Sequence, residues 1–414
     1  MKQSKLFGKT RKDISQDEKS INAELLTKAG FVEKQMAGVY DYLPLGLRVL
    51  RKIENIIREE MEAIGGQEIL MTALQAKELW HQTGRWQELE PIMYQFQDHH
   101  GSQIGLATTH EEVITDIVKK HLSSYKDLPL YLYQIQNKFR DEKRVKSGLL
   151  RGREFLMKDL YSFHIDQKDL DEYYQVVYQA YLKIFKRLGL EAFAVEASGG
   201  AMSKQFSHEF MVKTEAGEDE TVLCEKCGWA QNAEIAKVKS GEQCPQCQTI
   251  VKKFKTVEAG NIFRLGYKYS RPLKLQFTNQ KGKLQEVVMG SYGIGLGRVM
   301  GTIVEASHDQ DGIIWTETTS PYQVHLLNLA KNDKTQGKAE QIYKELHQQG
   351  LEVLYDDRDI SFARKLKDAD LIGVYWQLIV SDKQTELELV KRKDHQKILG
   401  DLNKVLSTIK KSVR

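Results

Sequence analysis

The sequence predicts an α+β body followed by a small α/β domain. Three observations carry this. Apolar and polar residues alternate over 131–140 and are answered by a second strand-like run at 149–163 across a charged loop. Helix-period segments at 47–65 and 166–189 are interleaved with such strands, the mark of an antiparallel sheet with helices. From Pro321 onward the pattern becomes a regular strand–helix alternation, as in a largely parallel sheet. The chain has 414 residues, 41% hydrophobic and 29% charged, which is room for two or three domains. A net charge of +4 permits a nucleic-acid partner without demanding one. No apolar run is long enough to span a bilayer. The first twenty residues lack an apolar core and carry Asp13, Asp17 and Glu18, which argues against a secretory signal; a cytoplasmic protein without membrane attachment is expected.

Each element follows from its pattern. Leu50, Ile53, Ile57, Met61 and Ile64 recur at spacings of three and four, and Gly65-Gly66 closes that helix. Residues 67–71 (QEILM) read as a strand. A helix over 111–122 has Thr108 and Thr109 as N-cap candidates and acids in its first turn. Residues 257–289 hold short alternating runs, and 290–305 passes from a glycine-rich loop into a helix. In the last domain, strands at YQVHLLNLA, LEVLYDD and WQLIVSD alternate with helices at 336–349 and 360–371.

Three clusters carry chemistry. The 131–155 hairpin can bring Arg140, Glu142, Arg151 and Phe155 onto one face. Arginine forks suit phosphate oxygens, a carboxylate can accept from the adenine amine, and phenylalanine can stack under the base. A solvated hairpin edge is the other reading. GSYGIGLGR (290–298) places four glycines before Arg298; it serves either a close backbone approach to a ligand or a tight turn with close helix packing. It lacks the βαβ setting of a dinucleotide fingerprint. Cys224, Cys227, Cys244 and Cys247 form two CxxC pairs sixteen residues apart, the spacing of a structural zinc site; free thiols or a redox pair are the alternatives. A closed four-thiolate site leaves no open position for catalysis. His99 and His100 read as an exposed turn, His208 as structural, and His110 as facing away from the neighbouring acids. No nucleophile triad is visible.

These residues carry a resemblance. FRDE (139–142) with RGREF (151–155), GIGLGR (293–298) and the helix and strand at 46–74 resemble motifs 2, 3 and 1 of class II aminoacyl-tRNA synthetases. THEE (109–112), GREFLMKDLYSFH (152–164), SHEF (207–210) and DGIIW (311–315) are similar, more narrowly, to bacterial prolyl-tRNA synthetases, nearly end to end. The resemblance implies an antiparallel-sheet catalytic domain at 1–214 and 256–320, a zinc-ribbon-like insert at 215–255, and an α/β anticodon-binding domain at 321–414. It implies activation of L-proline by ATP with Mg²⁺ and transfer to tRNA(Pro), in a homodimer. Arg140 and Arg298 would act on the phosphates, with Glu142, Arg151, Phe155 and Glu258 completing the ATP site. Thr109, Glu111, Arg140, Asp159, Asn261 and Ser291 would hold proline. Asp356, Asp357, Arg358 and Lys365 would meet the anticodon. The insert is far shorter than the family's usual editing domain, so this is a short form without editing in cis. Thr72 replaces the motif 1 proline, Ser291 and Asn261 stand where cysteine and histidine are usual, and GVYW (373–376) lacks a proline after Val374. A non-catalytic tRNA-binding paralogue, or a sister enzyme for threonine or serine, are the competing readings. Retention of Arg140, Glu142, Phe155 and Arg298 speaks against the first, and the Thr109/Glu111 pair against the second.

Overall fold

The computed structural model describes residues 1–13, 20–143, 145, 147–203 and 205–412. Asp17, Glu18 and part of the 141–147 loop lie outside them. The chain forms two compact units, one of Met36–Val39 and Glu54–Thr302, the other of Met1–Gln35, Tyr40–Ile53 and Ile303–Arg414.

The first unit is organised by a nine-stranded sheet: β1 Gln67–Glu68, β2 Leu130–Phe139, β3 Glu154–His164, β4 Ala192–Ala197, β5 Ser207–Lys213, β6 Asp219–Leu223, β7 Ala230–Asn232, β8 Lys252–Gly266 and β9 Val288–Gly295. Their order is β5–β4–β7–β6–β8–β9–β3–β2–β1, and β5 also pairs with β8, which closes one end into a ring of strands. Pairing is antiparallel except between β1 and β2 and between β7 and β4. Helices α1 Glu111–His121, α2 Gln167–Arg187 and the first part of α3 Leu296–Ala306, up to Thr302, accompany the sheet. Helix α2 starts where the Asp166 side chain accepts the Asp169 amide at 2.9 Å. It buries Leu170, Tyr174, Val177, Tyr181 and Ile184, one stripe at spacings of three and four.

Three expectations are corrected. The strand at 67–71 is only Gln67–Glu68: the Ile69 amide still donates to the Tyr133 carbonyl at 2.8 Å, but the Met71 amide turns to the Gln134 side chain at 3.0 Å. The N-cap of α1 is His110 and makes no side-chain cap bond; the Thr109 hydroxyl is spent on the Glu111 carboxylate. The glycine-rich segment is a central strand, not a loop. None of Gly290, Gly293 and Gly295 has a positive φ, so their value is the absence of a side chain rather than turn geometry.

The second unit holds β10 Val324–Leu329, α4 Asp333–Gln348, β11 Val353–Asp356, α5 Phe362–Ile372, β12 Trp376–Ser381, β13 Leu387–Lys391, β14 Lys397–Gly400 and α6 Leu402–Ser412. The order is β11–β10–β12–β13–β14. The first three strands are parallel, as expected, and the last two add an antiparallel hairpin that the sequence pattern did not mark. Val324, Leu326, Leu346, Leu378, Leu389 and Val405 form its core. Helix α5 ends at Gly373 with φ 76°, where a Cβ would lie 2.0 Å from the Ile313 carbonyl, so only glycine fits.

Candidate active site

The strands place their residues in rows. Gln134, Asp159, Gly293, Asn261 and Glu209 are successive register partners across β2, β3, β9, β8 and β5. Tyr161, Ser291 and Phe263 form the next row on the same face. Gly293 leaves a hollow between Asp159 and Asn261. A Cβ there would meet only the Met157 thioether, at 3.7 Å.

Glu111, at the start of α1 and 1% exposed, closes one side of this hollow. One of its carboxylate oxygens accepts from Ser291 Oγ at 3.2 Å and the other from the Thr109 hydroxyl. Both Asp159 oxygens are engaged: Lys138 Nζ donates to Oδ1 at 2.7 Å, while Gln134 Nε2 and Tyr161 Oη donate to Oδ2 at 3.0 and 2.9 Å. It shapes the wall through a buried ion pair. His110 faces Thr72, whose carbonyl lies 3.1 Å from Nε2, and burial followed by the nearby Lys138 charge pushes the ring down to about 4, so it is neutral. The Asn261 Oδ1 atom is buried without a hydrogen-bond partner.

Arg140 follows β2. Its guanidinium carbon lies 5.2 Å from the centre of the Phe155 ring, a cation–π contact. Burial first, and then the positive charge of Arg298, lower the Arg140 pKa; two cations from distant parts of the chain thus feel each other. Arg298, the third residue of α3, donates to the Leu150 and Glu258 carbonyls at 2.9 and 3.3 Å and faces the Glu258 carboxylate at 3.4 Å. Arg151 donates to Glu142 at 3.0 Å and to Glu218 at 2.9 Å. A cavity of about 140 Å³ is lined by Arg151, Glu218, Asp219, Glu258 and Arg298, with Leu150 and Val257; Arg140 is not part of its lining. Burial, and next the Glu258 charge, push Asp219 up to about 6 and Glu209 up to about 8. Acidic groups therefore crowd around Glu258, and Asp219 and Glu258 stand beside Arg298.

The structure brings together Arg140 with Phe155, Glu258 with Arg298, and Thr109 with Glu111 and Ser291. Glu142 and Arg151, read from the sequence as free nucleotide contacts, are paired to each other. Sequence reading passed over Arg85, Gln134, Lys138, Tyr161, Glu209 and Asp219. A signal existed in β2, where Gln134, Gln136 and Lys138 fall at every second position and share a face. That polar face looked solvated, yet Gln134 and Lys138 are fully buried.

The four cysteines meet. Cys224 and Cys247 Sγ are 3.4 Å apart and Cys227 and Cys244 Sγ 3.6 Å, with all four sulfurs within 4.8 Å of one another. Thiolates around a tetrahedral zinc with bonds of about 2.3 Å lie about 3.8 Å apart. Both CxxC segments turn alike: the residue four positions after the first cysteine, Gly228 or Gln248, has φ of 78° or 64° and donates its amide to that cysteine's carbonyl. The donor set fits a structural metal.

In the second unit Arg358 is bound by Asp356 at 2.7 and 2.8 Å and by Asp368 at 2.9 Å. Lys365 is buried and donates to the Asn328 carbonyl at 2.7 Å, while Asp357 accepts from Ser4 at 2.7 and 2.9 Å. The Lys365 ammonium, expected to meet RNA, is thus turned inward to the Asn328 and Asp356 carbonyls.

Residues 94–307 match the family described as tRNA synthetase class II core domain (G, H, P, S and T), and residues 323–412 match the anticodon binding domain. The proline–tRNA ligase of Halothermothrix orenii is 34% identical over 93% of this chain and 94% of its own. That alignment runs over 534 positions, more than the 414 residues here, so the relative carries segments without a counterpart in this chain. The proline–tRNA ligase of Wolbachia sp. subsp. Drosophila simulans is 41% identical over 405 positions and 95% of both chains. The crystal structure of prolyl-tRNA synthetase from Cryptosporidium parvum superposes with a TM-score of 0.77 at 16% identity, covering 94% of this chain and 77% of that one, a likeness of fold. The chain belongs to the proline–tRNA ligase family, class II aminoacyl-tRNA synthetases with an anticodon-binding domain.

Proposed function

We propose that this chain activates L-proline with ATP, releasing pyrophosphate, and transfers the prolyl group to the 3′ end of tRNA(Pro). The observation that carries this reading is the hollow above Gly293 with the Glu111 carboxylate, fixed by Thr109 and Ser291, at its side. A secondary ammonium has two N–H donors and a positive charge; a buried carboxylate with a neighbouring hydroxyl supplies a charged and a neutral acceptor. Asn261, with its unpartnered Oδ1, and the wall formed by Asp159 complete the pocket. Arg140 is assigned the proline carboxylate and the α-phosphate, Phe155 the adenine face, and Arg298 the far end of a bent triphosphate. Arg151 and Glu142 release each other to take the nucleotide. The carboxylate attacks the α-phosphorus in line, and the arginines stabilise the charge that spreads over the phosphate oxygens. Glu258, flanked by Glu209 and Asp219, would hold Mg²⁺, whose charge neutralises the phosphates; the crowding that raises the two flanking carboxyls is what such a cation relieves.

The same reading assigns 1–214 and 256–320 to the catalytic domain and 215–255 to a zinc-ribbon-like insert held by Cys224, Cys227, Cys244 and Cys247. Editing in cis is absent, consistent with relatives whose alignments are longer than this chain. Residues 321–414 are assigned to the anticodon, with Asp357 and Arg358 at the contact and Lys365 bracing the loop from within. The exposed Leu70 and Leu74 suit a homodimer surface, and a cytoplasmic location belongs to the same proposal. Exchange of labelled pyrophosphate into ATP with each of the twenty amino acids tests the assignment. Proline alone supports rapid exchange; faster exchange with threonine, serine or any other amino acid overturns it.

A further inference from the structure

We infer that Arg85 is a positioning residue that sets the charge of the amino acid pocket, so that Glu111 carries one surplus negative charge for the substrate's ring ammonium. This rests on the proline reading above. Arg85 comes from the four-residue helix Arg85–Glu88, outside the main sheet, and only 4% of it is exposed. Its guanidinium carbon sits 5.2 Å from the Trp80 ring and 5.1 Å from the Tyr269 ring, a caged cation. Nη1 lies 3.0 and 3.1 Å from the two carboxylate oxygens of Glu112, and 3.6 Å from Glu111 Oε2. Glu112 is fully buried and also accepts from the Thr83 hydroxyl at 2.8 Å.

The balance follows from these contacts. One buried cation and two buried carboxylates share the site, with the exposed Lys268 ammonium at its edge. The adjacent Lys138 and Asp159, at 2.7 Å, cancel each other. Glu112 takes the close guanidinium contact and is saturated. Glu111 receives only the longer contact, enough to hold the carboxylate in place and too little to cancel it. A zwitterionic amino acid brings the missing positive charge on its amine. Remove Arg85 and two buried carboxylates lie side by side and share one proton, so Glu111 holds the remaining charge only part of the time. Remove the Glu112 charge and Arg85 is left to neutralise Glu111. Either change harms the same substrate group from opposite directions, and both together restore one lone carboxylate.

The test is pyrophosphate exchange by the full chain and by Arg85→Met, Glu112→Gln, Arg85→Met/Glu112→Gln and Arg85→Lys, with KM for proline, KM for ATP, kcat and thermal unfolding measured for each. Glu112→Gln raises KM for proline by about ten- to a hundredfold, the scale of a lost hydrogen bond to a charged group, and Arg85→Met raises it by less, because Glu111 keeps part of the charge. KM for ATP stays within about twofold, since the ATP contacts are untouched. The double variant recovers most of the proline affinity, and Arg85→Lys retains it. A double variant no better than Arg85→Met, or KM for ATP rising in step with KM for proline, overturns the inference and leaves Arg85 a packing residue. If Arg85→Met does not fold, Glu112→Gln decides: an unchanged KM for proline overturns it. Failure of the proline reading shows separately, as absence of proline-dependent exchange in the unmodified protein.

Discussion

Two glycines of one strand separate folding from binding. Gly290 and Gly293 are three residues apart on β9 and therefore face opposite sides of the sheet. A Cβ at Gly290 would lie 2.3 Å from Tyr292 Oη and 2.7 Å from Ser162 Oγ, two buried hydroxyls that bond each other at 2.9 Å. Alanine must push them apart, adding overpacking to a strained or broken buried hydrogen bond, about 2–5 kcal/mol in all. A Cβ at Gly293 meets only the flexible Met157 side chain, at 3.7 Å, and needs no change of backbone. Gly293→Ala therefore folds as well as the native chain, or better by up to about 1 kcal/mol through a less flexible unfolded state. Its methyl group occupies the floor between Asp159 and Asn261, so KM for proline rises. Thermal unfolding and pyrophosphate exchange on both variants decide the matter. Gly290→Ala melting with the native protein, or Gly293→Ala binding proline as the native protein does, would refute the assignment of the two faces.

Metal analysis of the freshly reduced protein should return about one zinc per chain, and Cys244→Ser should lose it while exposing 215–255 to protease; metal-free native protein with an intact insert contradicts the four-thiolate site. Acid stability has a direction that can be worked out. Burial is the first cause that holds His110 and His325 each down to about 4. Their neutral forms are the folded forms, so the stability they contribute is complete above the unfolded value near 6.5 and is lost as pH falls from there towards 4, at most about 3 kcal/mol for each. Replacing His325 by Gln should flatten the stability curve between those limits in a pH series of urea unfolding; an unchanged slope would mean that His325 does not titrate there.

Much of this architecture was written in local pattern. The β2–β3 hairpin, α2 and the strand–helix alternation after Pro321 were legible in pattern: α2 buries one regular stripe, while β3, β10 and β11 are short runs buried on both faces. The glycine-rich segment was legible as important but not as a strand, since sequence cannot distinguish a glycine needed for a positive φ from one needed to leave space. The cysteine cluster was legible because spacing fixes the ligand geometry. The deeper part of the pocket was not. Gln134, Lys138 and Arg85 look like surface residues in a row of letters, and only tertiary contacts supply the Asp159 and Glu112 carboxylates that allow their burial. Lys365 misled for the same reason: a lysine on an amphipathic helix reads as solvated until the fold presents buried carbonyls to it.

The central claim is that Arg140 and Arg298, more than 150 positions apart in the chain, act on one nucleotide. Proline-dependent pyrophosphate exchange by Arg140→Ala and Arg298→Ala, with the melting temperature of each variant recorded alongside, measures it most directly. Exchange should fall by two to three orders of magnitude or more, roughly the cost of deleting one preorganised charge-stabilising donor, while each variant still melts cooperatively. A well-folded variant of either arginine that still exchanges near the native rate would contradict the account.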